Sequence, residues 1–561
     1  MNTEILGVIL MFAATVALAI PLGRYIGKVF QYERTWLDPL FNPLDKLFFK
    51  LSGIDPSRDM SWKAHLVALL TINGSWFVLS MLVLTNMSWL PLNPDGNPSM
   101  SPDLAFNTSI SFVCNTNLQH YSGETGISYL GQLILMLWQF VSAGTGIAIA
   151  AVLFMAMKEK TAPKLGNFYS FFVRSCTRIL FPIAVVVASI LAFNGTPMTW
   201  EGKGTQETLE GETVEVSTGP VAAFTAIKHL GTNGGGYFGT NSAHPFENPN
   251  YLTNITEMVT QMIIPIALIF AMGYVINRPR LSKMIFGVMT LGFLLLAVST
   301  VMFEMNGNPK ITQMGIAQDM GSMEGKEVRF GAAASGYWSI ATTVISTGSV
   351  NAMHDSFTPL SNMNQLLGMM INAFYGGVGV GMLNFYVFII LAVFISGLMV
   401  GRTPEFLGKK IGAQEMKIAM IVALLHPFLI LVGTAIAASS PDATASISNP
   451  GFHGFGQMLY EFTSSSANNG SGMEGLGDNT LFWNISTGIV MLLGRFLPII
   501  GPIAIAGILA NKKYIPEGNG TLKTDTTTFG MMVFAVIALI AALAFFPALT
   551  LGPLAEYFSL Y

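Results

Sequence analysis

Four short polar segments stand between apolar stretches of the chain: Cys114-Asn115-Thr116-Asn117, Thr232-Asn233-Gly234-Gly235-Gly236, Ser346-Thr347-Gly348-Ser349 and Asn468-Asn469-Gly470-Ser471. Their residue types suit one task, the presentation of backbone carbonyl oxygens to a dehydrated monovalent cation. Such an ion leaves its water shell only where closely set oxygens replace it. Glycine lets successive carbonyls aim at one axis because no Cβ opposes a positive φ. Asn and Thr side chains can hydrogen-bond behind the backbone and hold it open. None of the four turns carries a carboxylate, which argues against a divalent-cation filter. With Thr116, Gly234, Gly348 and Gly470 taken as equivalent points, the steps are 118, 114 and 122 residues, a fourfold internal repeat. A membrane tolerates irregular backbone only where protein buries it or water lines it, so four such segments at corresponding places imply one shared pore lining. Any one of them alone reads equally well as a surface turn.

The elements that must hold these segments are apolar. Of 561 residues, 52% are hydrophobic and 11% charged, against roughly 25% charged in a soluble domain. The mean hydropathy of +0.54 agrees with a polytopic membrane protein. Stretches long enough to cross about 30 Å of hydrocarbon run at 5–23, 64–90, 129–157, 168–195, 255–277, 284–304, 364–400, 416–438, 481–510 and 527–550. Each polar segment follows a short apolar stretch suited to a half-helix: Leu104–Val113, Val221–Leu230, Gly336–Ile345 and Gly456–Ser466. The expected fold is an all-α polytopic membrane protein with ten transmembrane helices and four helix–pore-loop–helix repeats around a pseudo-fourfold pore. We divide the chain into 1–62 (first span and cytoplasmic loop), pore repeats at 63–160, 161–280, 281–412 and 413–515, and a last span at 516–561. The first span loosely resembles a signal peptide, but Glu4 precedes it and its basic cluster follows, so we expect it to be retained.

Lys and Arg are distributed unevenly. Segments 24–63, 158–178, 278–283, 402–417 and 512–523 hold seven, five, three, four and three of them, 22 of the 28 in the chain. The alternate loops hold five, Lys203, Lys228, Lys310, Lys326 and Arg329. By the positive-inside rule both termini and all four polar segments lie outside. The net charge of −3 says little about partners, and no nucleic-acid partner is expected.

Three further features bear on chemistry. Arg495 lies inside an apolar span, where a cation is costly and usually functional; below the filter it would repel a cation and act as a barrier, or it snorkels or pairs with another subunit's carboxylate. Gly376, Gly377, Gly379 and Gly381 fall within a 37-residue apolar stretch, and four glycines in six residues suit a break, and a gate, better than a straight helix, although they also suit close helix packing. The seven histidines are scattered without metal-ligand spacing, and Cys114 and Cys176 read as ordinary small residues. Neither an Asp-Lys-Thr-Gly phosphorylation sequence nor a Walker-type loop is present, so hydrolysis of ATP is not expected of this chain.

The strings Asn115-Thr116-Asn117-Leu118-Gln119, Gly231–Gly236, His244-Pro245-Phe246-Glu247-Asn248-Pro249, Met323–Glu327, Met353–Phe357 and Gly401-Arg402-Thr403-Pro404-Glu405 closely resemble the KdpA family, the potassium-binding subunits of bacterial Kdp potassium-transporting ATPases. The resemblance covers essentially the full length. It implies a potassium-binding and translocating subunit, without catalysis or organic cofactor, in the bacterial inner membrane. ATP would be bound by a P-type ATPase partner, KdpB, with KdpC, KdpF and membrane lipids completing the assembly. Carried onto this chain, the potassium ligands are Cys114, Asn115, Thr116 and Asn117; Thr232, Asn233 and Gly234; Ser346, Thr347 and Gly348; and Asn468, Asn469 and Gly470. Cys114 stands where a Thr is expected, and the first segment lacks glycine, which leaves its register open by a residue or two. Gln119, the four glycines at 376–381 and Arg495 are pathway or gate candidates. The alternative is a stand-alone potassium channel or ion-coupled transporter of the Trk/Ktr type, or a membrane sensor that only binds potassium.

Overall fold

Hydrocarbon offers no partner to a backbone N–H or C=O, so each long apolar run closes its hydrogen bonds internally as a helix. The computed structural model describes residues 3–161, 164–516, 518 and 522–560. Helices α1 (Thr3–Phe30) and α2 (Asp38–Ser52) precede the repeats. The first repeat is α3 (Trp62–Leu84), α4 (Pro102–Val113) and α5 (Tyr129–Lys158). The second is α6 (Phe168–Phe193), α7 (Val221–Leu230) and α8 (Tyr251–Val275). The third comprises α9 (Pro279–Asn306), α10 (Gly331–Val344), α11 (Pro359–Ile371) and α12 (Val380–Val400). The fourth is α13 (Ala413–Ser439), α14 (Phe452–Ala467) and α15 (Leu481–Ala510), and α16 (Thr527–Leu551) follows. Among the described residues ten helices are long and apolar enough to cross a membrane, as expected.

Two boundaries differ from the hydropathy reading for local reasons. The span expected at 64–90 stops at Leu84, because Thr85 Oγ1 and Asn86 Nδ2 donate back to the carbonyls of Met81 and Leu82 and close the last turn. The stretch expected at 364–400 is two helices. Asn372 ends α11 in the left-handed region (φ 45°), and α12 starts only at Val380. A third departure is internal: Ser175–Leu180 of α6 is a π-helical turn, a local widening often found at functional positions.

Inner and outer layers are distinguishable by burial. Helices α5, α8 and α12 are largely enclosed, whereas α1, α3 and α13 turn most of their apolar surface outward, as lipid-facing helices do. The largest core cluster joins α1, α5, α8 and α12 through residues such as Ile26, Ile149, Met262, Ile266 and Ile390. Small residues set the closest approach: a Cβ on Gly23 of α1 would lie 2.5 Å from the Ala267 carbonyl of α8, and one on Gly27 2.6 Å from the Tyr274 ring. The fold therefore surrounds the four half-helices α4, α7, α10 and α14 with two rings of spans.

Candidate ion-binding site

Each half-helix ends in the same backbone device. Asn115, Thr232, Ser346 and Asn468 adopt left-handed conformations, with φ of 61°, 49°, 54° and 53°. The next residue then donates its N–H five residues back: Thr116 to Ser111, Asn233 to Lys228, Thr347 to Thr342 and Asn469 to Ser464, at 2.9, 3.0, 2.9 and 2.9 Å. This is the Schellman pattern of a helix C-terminus. Its repetition sets the register that residue types left open. The equivalent triplets are Asn115-Thr116-Asn117, Thr232-Asn233-Gly234, Ser346-Thr347-Gly348 and Asn468-Asn469-Gly470.

Two expectations are corrected by that register. The counterpart of the three glycines is Asn117, not Thr116. At φ 59° Asn117 occupies the left-handed region that Gly348 (85°) and Gly470 (101°) also use, and Asn is among the few residues that tolerate it. Nor does Cys114 stand in for a threonine, since that place is Asn115's. Cys114 closes α4 with an ordinary negative φ (−78°) and packs its thiol among Ile110, Leu118 and Met491.

The four triplets converge on one axis. A Cβ on Gly234 would lie 2.8 Å from both the Thr116 carbonyl oxygen and Gly470 Cα; on Gly348, 2.2 Å from the Asn469 oxygen; on Gly470, 2.1 Å from the Thr116 oxygen. No side chain fits at these three glycines, so there only backbone faces the axis. Most of the other polar side chains tie the strands to their surroundings, whereas Asn117 makes no side-chain hydrogen bond among the described residues. Asn115 Nδ2 donates to the Gly231 and Thr232 carbonyls (3.0 and 3.2 Å) and its Oδ1 accepts from Ser142 (2.7 Å). Asn233 Nδ2 donates to Gln139 O, Asn469 Nδ2 to Thr342 O, and Asn468 Nδ2 to Thr116 Oγ1 and Met491 O. On the far side of the triplets Gln119 clamps repeats one and two together: its Oε1 accepts from the Gly236 N–H (2.8 Å) and its Nε2 donates to the Gly236 carbonyl (3.0 Å).

The first residues of three of the triplets, Asn115, Ser346 and Asn468, line a small cavity that also touches Asn372, Gly377, Val380, Asn384, Gly494 and Arg495. Here the fourfold pattern ends. The linker between α11 and α12 crosses beneath the triplets, with the Val378 N–H donating to Thr232 Oγ1 (3.1 Å). It can lie there only because Gly379 and Gly146 of α5 bring two backbones together; a Cβ on Gly379 would fall 1.9 Å from the Gly146 oxygen. Asn372, at the end of α11, accepts from Ser346 Oγ (2.9 Å) and donates to Ala467 O (3.2 Å). Arg495 is nearly fully buried beside this linker, and among the described residues it has neither a hydrogen bond nor a carboxylate within ion-pair distance.

The match to known proteins runs through all of these elements. The family model for KdpA, Potassium-transporting ATPase A subunit, matches residues 9–558. The chain belongs to the KdpA family. Proteins named potassium-transporting ATPase potassium-binding subunit from Flavobacterium johnsoniae, Parabacteroides distasonis and Geobacillus kaustophilus are 66%, 56% and 47% identical, covering 100%, 100% and 98% of this chain and of their own lengths. The solved structure of the potassium transporter TrkH from Vibrio parahaemolyticus is similar in fold, with a TM-score of 0.53 over 89% of this chain and 98% of its own, at 14% identity.

Around the triplets this KdpA-family chain carries buried charge that the motif reading missed. Lys228, inside α7, is fully buried and donates to Glu247 Oε2, Asn241 Oδ1 (2.7 Å) and Ser242 Oγ (2.8 Å); Asn241 Nδ2 in turn donates to the Gly234 carbonyl (2.6 Å). Lys326 pairs with Glu304 at 2.8 Å, both side chains enclosed. A lysine within an apolar half-helix was the one available signal for the first network. Two of the five basic residues counted outside are therefore internal ion pairs rather than loop charges. His120 joins repeats one and four through Asn484 (2.7 Å), Glu461 (3.3 Å) and Asp478 (3.9 Å). Burial alone would lower its imidazole, but Asp478 and Glu461 outweigh that and hold it up at about 9. His453 is clamped between Asp355 (2.9 Å) and Glu556 (2.8 Å), tying the C-terminal turn Pro553–Ser559 to α14. Against the lowering effect of burial, those two carboxylates raise it to about 10.

Proposed function

We propose that this chain is the potassium-binding subunit of an ATP-driven potassium import complex. It takes potassium from the outside through the four triplets and passes it to a P-type ATPase partner, KdpB, which binds the ATP, with KdpC and KdpF completing the assembly in the bacterial inner membrane. The observation that carries the reading is the convergence of four equivalent C-terminal turns on one axis, where three glycines leave no room for a side chain. Carbonyls so placed replace the water shell of a monovalent cation without a fixed negative charge. The ligands we assign are the four triplets, with Cys114 left out of the set. Relatives named as potassium-binding subunits at 47–66% identity support this reading over the stand-alone transporter.

The ion's exit is lateral in this proposal. Arg495, unpaired beneath the triplets, opposes a cation moving straight inward, and the 372–379 linker obstructs the same path. A second cavity shares Asn372, Asn384 and Gly494 with the one beneath the triplets and leads between α12, α13 and α16 past His426 and Phe545. The basic loops face the cytoplasm and both termini face outward, with the six-segment division at 62, 160, 280, 412 and 515 retained. Reconstitution tests the function: the complete complex should accumulate potassium only with ATP, and the chain without partners should bind the ion and pass little. Free passive flux through the isolated chain would favour the stand-alone transporter. Cysteines at exposed Glu210 and Lys410 should label from outside and inside respectively with an impermeant thiol reagent; labelling from one side sinks the topology.

A further inference from the structure

Helix α2 is built inside out for a water-soluble neighbourhood. Its leucines at 40, 44, 47 and 51 fall on one face by helical spacing, and Asp38, Asn42 and Asp45 fall on the opposite face. The two carboxylates of the polar face are turned inward, with Asn42 at its edge. Arg178, from the π-helical turn of α6 and without exposed side-chain surface, donates through Nε to Asp38 Oδ1 (2.9 Å) and through Nη2 to Asn42 Oδ1 (2.6 Å), and it pairs through Nη1 with Asp45 Oδ2 (2.7 Å). Phe41 packs edge-on against Phe181 beside this contact. A buried guanidinium with three of its oxygen partners on α2 fixes which way the helix faces, because turning α2 over would strand the cation. The leucines are left 63%, 53%, 53% and 78% exposed, with Phe48 and Trp36 beside them at 42% and 77%.

An apolar stripe of that size does not face water. At about 1.5 Å per residue, 15 residues are also too short to cross the bilayer. Its tethers place it at the boundary: seven residues separate α2 from α1 and nine separate it from α3, both lipid-facing spans. Exposed Lys46 and Lys50 lie on one flank of the leucine stripe, where they meet anionic headgroups while the leucines reach acyl chains.

We propose that α2 is an in-plane helix seated in the lipid leaflet on the basic side of the protein, held in that orientation by Arg178. Only the naming of that side as cytoplasmic rests on the proposed function. The test places nitroxide spin labels at Leu44→Cys, Leu51→Cys, Lys46→Cys and Lys50→Cys in the full complex, in nanodiscs of phosphatidylethanolamine and phosphatidylglycerol. Native Cys114 and Cys176 are both buried, and the unsubstituted protein supplies the background. Oxygen should relax the labels at 44 and 51 several-fold more than a water-soluble nickel chelate does, with the order reversed at 46 and 50. A chelate that reaches 44 and 51 as freely as 46 overturns the proposal, because the stripe is then solvated. Labels at 44 and 51 shielded from both reagents overturn it too, because another subunit or a second copy then covers the stripe. In sealed right-side-out vesicles, an impermeant thiol reagent that reaches Lys50→Cys from outside would refute the cytoplasmic assignment and leave the insertion result standing.

Discussion

The level of the triplets and the level beneath them obey different rules. At the triplets the four repeats share the left-handed turn and its closing N–H bond although their residues differ: Asn, Thr, Ser and Asn at the left-handed position, then Asn or Gly at the axis. Just beneath, nothing repeats. The third repeat alone sends a linker under the axis, and the fourth alone places an arginine there, one without an ion-pair partner among the described residues. Equal contributions from all sides suit an ion that must be surrounded by oxygens, whereas a directed exit requires that the sides differ. Backbone geometry is also insensitive to side-chain identity provided the φ is tolerated, so the symmetric half accepts varied residues.

The comparison is broken most severely at the axis itself. Gly234→Asp puts a Cβ within 2.8 Å of the Thr116 oxygen and Gly470 Cα. We expect the half-saturation concentration for potassium to rise about tenfold or more, about 1.4 kcal/mol of lost binding, and discrimination against rubidium to fall. ATP-driven uptake with each ion measures this, and an unchanged ion profile in an assembled mutant removes Gly234 from the site. On the asymmetric side, Arg495→Met should open a passive leak without ATP and weaken pumping with it. Rubidium flux in proteoliposomes is the measurement, and normal coupling without leak would make Arg495 structural.

A smaller effect sharpens the register. Asn117→Gly should leave potassium affinity and thermal stability nearly unchanged. Asn117→Val forces a branched side chain to φ 59° and should cost about 1–2 kcal/mol, read as a lower Tm and a weaker half-saturation. Equal tolerance of both would return the equivalence to Thr116. The smallest effect lies outside the pore. His453 is raised to about 10 by Asp355 and Glu556 after burial has pulled the other way, so its contribution is complete below the ordinary histidine pKa of about 6.5 and is lost as pH rises through about 10. Hydrogen-exchange protection in 553–559, taken relative to the intrinsic base-catalysed rate at each pH, should fall over that window, and in His453→Gln protection should be low and unchanging with pH; protection that stays constant with pH in the native protein would show that the clamp does not order this turn.

Much of this was legible because it depends on local pattern. Ten apolar runs became ten crossing helices, and the glycines at 376–381 did mark a break, although the unwound residues begin at Asn372, a residue without an obvious helix-breaking signature in apolar surroundings. The half-helices were found within a few residues. The register of the first triplet was not legible, because glycine was used as the landmark and Asn117 meets the same dihedral demand with a side chain. Lys228, Lys326 and Arg178 escaped notice for a different reason. Each is paid for by partners 13 to 140 positions away, such as Asn241, Glu304 and Asp38, and no local window contains both ends.

By itself the sequence determined the class, the ten spans, the four polar turns and the uneven distribution of basic residues, since hydrophobic length and φ preference act over a few residues. Only the tertiary structure decided which segments meet at the axis, that Asn117 and not Thr116 is the counterpart of the three glycines, that Arg495 lacks a counter-charge among the described residues, and that α2 turns its carboxylates inward. Those outcomes depend on distances between segments more than a hundred residues apart, which are set when helices pack.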